Sequence, residues 1–241
     1  MYDVSVNPYG DELMENMRSV ETPEAPRREP LSRERIVRTA LQIMDQEGLE
    51  AVTMRRIGRE LGVEAMSLYN HVQDKEDILD GIIEEVLSEF RVPDVPDWAE
   101  AARLGAHEYR RLLLAHPNVI TLMTERETAF TNAESLRGYE FALDLFRTLG
   151  LSGADSVKAF HVFGGYILGF VVMERGLIPG ATEDETHAWA HKDMAQLLET
   201  ADLPRLREVF PHIIDCDLEE QFEFGLDLLI EGLRARAASA S

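Results

Sequence analysis

From Ser32 onward, apolar residues recur at three- and four-residue intervals, and no stretch alternates apolar with polar side chains as a half-buried strand does. That pattern confines the chain to helices packed on helices, and the fold class it predicts is all-α. Ser32 stands ready to cap a helix carrying Ile36, Val37, Ala40, Leu41 and Met44 on one side, and Gly48 is placed to end it. Thr53 is placed to cap a second, short helix that stops at Gly62, and a third runs from about Glu64 to His71. Asp74 opens a fourth, KEDILDGIIEEVLSEF, with Ile78, Ile82, Val86 and Phe90 along one face. Pro93 and Pro96 then break the chain, which sets a domain boundary at 91–97. Beyond it, helices are expected at about 98–115, 118–128, 134–149, 153–175, 183–200 and 217–237, with a weaker one near 203–210.

Two of these segments are apolar on opposite sides. In 153–175, Val157, Phe160, Gly164, Ile167 and Val171 form one stripe, and Ala159, Phe163, Tyr166, Phe170 and Met173 form another about 200° away. In 217–237, Leu218, Phe222, Gly225, Leu229 and Leu233 oppose Phe224 and Leu228. One side of each helix can serve the chain's own core. The other is then free for a second copy, so a homodimer is expected; the plainer alternative is a helix buried centrally within one monomer.

Charge narrows the function. The 241 residues hold 24 Lys and Arg against 45 Asp and Glu, a net charge of −21, which argues against a basic coat for nucleic acid. The acidity is uneven, however: residues 27–75 hold 9 bases and 8 acids, while residues 76–241 hold 14 and 31. Residues 1–30 contain four of the ten prolines and no sustained period, and read as a mobile acidic arm. The single cysteine, Cys216, allows no internal disulfide and no multi-thiolate metal site. The start of the chain lacks a basic and then apolar leader, so the protein is expected to be cytoplasmic. The longest uncharged stretch, Ala159 to Met173, falls short of the roughly 20 residues that span a bilayer. No membrane partner is expected.

The segment spared the acidity, TMRRIGRELGVEAMSLYNHVQDKEDIL (53–79), has the layout of a helix-turn-helix: a short helix, a turn at Gly62, and a second short helix. Ile57, Leu61, Val63 and Leu68 are spaced to pack the two helices, with Gly58 small at their crossing. Ala65, Met66, Ser67, Tyr69, Asn70 and His71 are left to face outward, a set of hydroxyl, amide, aromatic and apolar groups that suits base edges in a major groove. Arg55, Arg56 and Lys75 flank them and can reach phosphates or guanine. Plainer readings stand beside these: Tyr69 as packing, His71 as a helix-end cap, and the arginines as a solvated face.

Over residues 32–79 the chain resembles the DNA-binding domain of the tetracycline-repressor (TetR) family of transcriptional regulators, carried by "EGLEAVTMRRIGRELGV" and "SLYNHVQDKEDIL". Residues 98–174 resemble the tetracycline-repressor type of C-terminal domain, through "LLLAHPNVITLM" and "YEFALDLFRTLGLSGADSVKAFHVFGGYILGFVVMERG". The resemblance implies a helix-turn-helix domain over 31–90 and a ligand-binding and dimerisation domain over 98–241. It also implies a homodimer on a palindromic double-stranded DNA operator, a repressor released when a small-molecule inducer binds. Base-reading positions fall on Arg55, Ala65, Met66, Ser67, Tyr69 and His71, and phosphate positions on Thr53, Tyr69, His71 and Lys75. Where tetracycline-binding members place a metal-ligating His, Thr121 aligns, and their later His and Glu fall near Tyr166 and Met173. Tetracycline sensing is therefore not expected, and the inducer's identity is left open. Met123, Phe146, His161, Tyr166 and Phe170 are the candidate ligand lining, which suggests a largely apolar effector with one polar handle. His161 has a second reading, as a satisfied core residue.

Neither metal, cofactor nor catalysis is expected. His187 and His191 have i, i+4 spacing but no third ligand, and none of the seven histidines has a Glu three residues before it, as a di-iron bundle needs. Gly164, Gly165 and Gly169 follow no strand and so form no phosphate loop. They leave room for close crossing or for a ligand.

Overall fold

A computed structural model describes residues 30–125, 133–175, 194–214 and 217–240, and the described residues contain helices and no strand. The arm expected over 1–30 lies, except for Pro30, outside them, as do His187, His191 and Cys216.

The N-terminal region is built on α1 (Arg33–Glu47), whose Ile36, Val37, Ala40, Leu41, Ile43 and Met44 are buried. Gly48, at φ 88°, ends it in a backbone region that side chains disfavour. Thr53 caps α2 (Met54–Leu61) by accepting a hydrogen bond from the Arg56 amide at 3.1 Å. Gly62 closes α2 in the left-handed region at φ 69°, ψ 34°. The next helix, α3 (Ala65–Leu68), is shorter than the expected 64–71. After Leu68 the amides of Asn70 and His71 bond back three residues, to Ser67 and Leu68, so the chain tightens and drops Val72 into the core. Asp74 then caps α4 (Lys75–Ser88), and Asp77 reciprocates by accepting from the Gln73 amide.

α4 crosses α1 closely: a Cβ on Gly81 would stand 2.5 Å from Val37. Arg33 ties the pair by bonding Asp77 at 2.8 Å and pairing with the buried Glu84 at 3.5 Å.

The second region comprises α5 (Trp98–Ala115), α6 (Asn118–Glu125), α7 (Arg137–Thr148, entered through a 3₁₀ turn at Glu134–Leu136), α8 (Gly153–Glu174), α9 (194–200), α10 (Pro204–Ile214) and α11 (Leu218–Ala240). Asp97 and Ser152 cap α5 and α8. Their core is aromatic, with Phe146, Phe163, Phe170 and Phe222 buried together. Each such side chain contributes about 1.5–3 kcal/mol on burial. Arg110 crosses this core with its guanidinium 4.6 Å from the Phe222 ring centre, bonded to Glu174 at 2.7 Å and Glu219 at 2.5 Å.

The two-sidedness of α8 holds, but the stripes are redistributed. Ala159, Phe163, Ile167, Phe170 and Val171 face the core, whereas Val162, Gly165, Gly169, Val172 and Met173 face outward. Packing on α5, α7 and α11 selects the residues, and a single-helix period cannot say which neighbours lie where. α8 spans 22 residues and by length and composition is apolar enough to cross a bilayer. Its buried side packs into this helical core. On α11, Phe222, Leu226 and Ile230 are buried, while Phe224 (66% exposed) and Leu228 (57%) face out as expected.

Candidate DNA-reading surface and effector cavity

The second helix of the pair, α3, is packed closely from behind. Ile57 of α2 and Leu68 of α3 are fully buried, and a Cβ added to Gly58 would stand 3.0 Å from the Val63 carbonyl oxygen and 3.2 Å from the Ala65 nitrogen. No other residue type lets the helices meet so closely. With that side fixed, Met66 (75% exposed), Tyr69 (46%), Asn70 and His71 are presented to solvent, while Ala65 and Ser67 are half-buried.

The basic residues divide into two groups. Arg56 is drawn onto Glu47 at 2.5 Å and Glu60 at 2.6 Å, and these bonds hold the guanidinium above its ordinary range and the Glu47 carboxyl below its own. It fastens α2 to the end of α1. Among the described residues Arg55, Arg59 and Lys75 make no ion pair, and Arg55 and Arg59 lie exposed one turn apart on α2. Arg59 is not among the expected DNA contacts, although its i, i+4 spacing from Arg55 is the available signal. Thr53 is exposed beside them, its hydroxyl committed to the cap.

The second site is a cavity of about 240 Å³ between α5, α7 and α8. It is lined by Tyr109 from α5, by Tyr139, Phe141 and Phe146 from α7, and by Phe160, His161 and Gly164 from α8. Among the described residues that line it there is no Asp, Glu, Lys or Arg. Leu87, in the last turn of α4, and Phe90, just beyond it, close one side. Phe90 packs on Phe141 with ring centres 5.9 Å apart, and Gly138 makes room for it. Burial pushes the Tyr109 phenol above its ordinary range, so it stays a protonated donor.

Of the expected lining residues, Phe146 and His161 border this cavity; Met123, Tyr166 and Phe170 do not. Met123 packs at the edge of the core. Tyr166 instead lies over Gly225 of α11 and donates to the Phe222 carbonyl at 2.8 Å, and Phe170 is buried beneath Arg110. His161 is exposed at the cavity edge and is not a core residue. A Cβ on Gly164 would meet nothing within 4 Å, so this glycine leaves open space.

A third cluster joins α5 to α11. His107, Glu219 and Glu223 bring ligand atoms within 4.8 Å of one another. Arg103 and Arg110 already neutralise those carboxylates, Arg103 pairing with Glu223 and Arg110 with Glu219, so this is an ion-pair network joining two helices.

A helix-turn-helix set before a helical domain with an uncharged aromatic cavity defines a DNA-binding regulator with an effector domain. Residues 36–82 match the family model of the bacterial regulatory proteins of the tetR family, and residues 92–237 match that of the tetracyclin repressor-like C-terminal domain. The chain belongs to the TetR family of transcriptional regulators. It is 30% identical over 216 residues to the HTH-type transcriptional repressor DrrR1 of Streptomyces coeruleorubidus, covering 86% of this chain and 79% of the relative. The structure of Streptomyces coelicolor ActR in complex with actinorhodin is 28% identical, with a TM-score of 0.76 over 88% of this chain and 99% of that one. BioQ with its double-stranded DNA operator is 25% identical, with a TM-score of 0.56 over 86% of this chain and 99% of that one.

Proposed function

We propose that the protein is a cytoplasmic, homodimeric repressor that binds a palindromic operator through α3 and is released by a small molecule entering the α5–α7–α8 cavity. One observation carries this reading: α4 begins beside the reading helix and ends with Leu87 at the cavity wall. A ligand pressing on Leu87 and Phe90 favours a different setting of α4, and the population shifts from the DNA-bound state. The division between the two domains is placed at 91–97, the segment between the end of α4 at Ser88 and the start of α5 at Trp98. The contact between the two regions also serves this coupling, since His116 bonds Asp45 of α1 at 2.8 Å and Asn118 donates to the Met44 carbonyl at 3.0 Å.

The uncharged lining selects a neutral, largely aromatic effector with a group that accepts from a phenol. ActR, bound to actinorhodin, and BioQ, bound to its operator, support the effector and DNA halves of the reading. The outward faces of α8 and α11 supply the dimer contact. It sets two reading helices one DNA turn, about 34 Å, apart.

Filling the cavity with a fixed side chain tests the coupling. Gly164→Phe should weaken operator binding, measured by fluorescence anisotropy, while circular dichroism and dimerisation stay unchanged. Undiminished affinity in a folded Gly164→Phe dimer would contradict the coupling.

A further inference from the structure

Met66 is the most exposed large hydrophobic side chain among the described residues, at 75%. It stands on the reading surface with nothing of its own kind to cover it. It cannot turn away, because Leu68, about 200° around the short helix, is fully buried and Ala65 is held against Gly58. Tyr69 shares the surface, and Arg55 and Arg59 are exposed on the neighbouring helix. An unbranched thioether offers no hydrogen-bond donor and only a weak acceptor. In a major groove the base edges present donors and acceptors to polar side chains, and one apolar group: the C5-methyl of thymine.

We propose that Met66 reads a thymine methyl in each half-site, making it a specificity-determining residue of this protein. The inference rests on the proposed DNA reading by α3. It assigns to one position in each half-site a requirement for the methyl that is independent of the hydrogen-bonding edge of the base.

The test uses the full-length protein and an operator obtained by selection from a random-sequence duplex pool. Each thymine of the half-site is replaced in turn by uracil, which removes the methyl and leaves every hydrogen-bonding group. Wild-type protein should lose affinity at one position, by about fourfold per half-site, the value of burying one methyl-sized group. Met66→Ala should bind thymine and uracil versions equally, and Met66→Leu should keep the discrimination. Because the side chain is exposed, both variants should melt with the wild type. Uracil tolerated at every position, or discrimination undiminished in Met66→Ala, overturns the role of Met66 while leaving DNA reading by α3 in place. Failure of the selection to enrich any sequence overturns both.

Discussion

Arg56 carries a lesson about charge at the scale of single residues. Two arginines adjacent in sequence do different things: Arg55 lies exposed with no ion pair among the described residues, while Arg56 is held by Glu47 and Glu60. Hydrogen bonding to Arg56 lowers the Glu47 pKa on folding, so the pair contributes stability that is present above the unfolded carboxylate range and is lost as pH falls through the lowered folded value. Thermal melts of wild type and Glu47→Gln should therefore differ at neutral pH and converge as pH drops through and below the ordinary carboxylate range. A difference independent of pH would mean that Glu47 acts by packing alone. At this scale the caps at Thr53 and Asp74 were legible in the sequence, because each hydrogen-bonds within its own first turn. The partner of Arg56 was not, since Glu47 lies across a turn whose path the sequence does not specify.

Among the elements, the α2–α3 pair depends on one missing side chain. Gly58→Val would force Cγ atoms into the Val63 carbonyl and the Ala65 backbone, at about 1–3 kcal/mol. Its unfolding free energy, measured in urea, should fall by that amount. Operator affinity should fall further than the stability loss explains, because α3 is displaced. A variant with wild-type stability and affinity would show that the crossing tolerates a larger separation. The helix-turn-helix was readable because its contacts are local, within about ten residues. The cavity was read only in part. Phe146 and His161 border the cavity, but Tyr166 and Phe170 belong to the contact with α11, and Tyr109 and Phe90 come from elements distant in sequence. Periodicity finds an apolar face without naming the element it meets.

For the whole molecule, the uneven charge has a physical consequence: residues 76–241 carry most of the acidity, so phosphate repulsion favours approach through the near-neutral segment 27–75. The faces carrying Val162, Gly169 and Val172 on α8 and Phe224 and Leu228 on α11 remain outside the core of the single chain. Leu228→Glu should leave helical content unchanged yet yield a monomer in sedimentation, since a charge on each side of a twofold contact meets its own copy. Losing the linked second half-site should lower operator affinity by about a hundredfold or more. A variant that stays dimeric would move the contact elsewhere.

A binding selection asks whether this surface reads a particular DNA sequence. Full-length wild type and Tyr69→Ala are each incubated with a random-sequence duplex pool at moderate salt, and the retained duplexes are sequenced. The wild type should enrich one palindrome with half-site centres about one helical turn apart. Tyr69→Ala, still dimeric, should enrich none. Flat recovery by a wild-type dimer, or the same palindrome recovered by both proteins, would contradict the account.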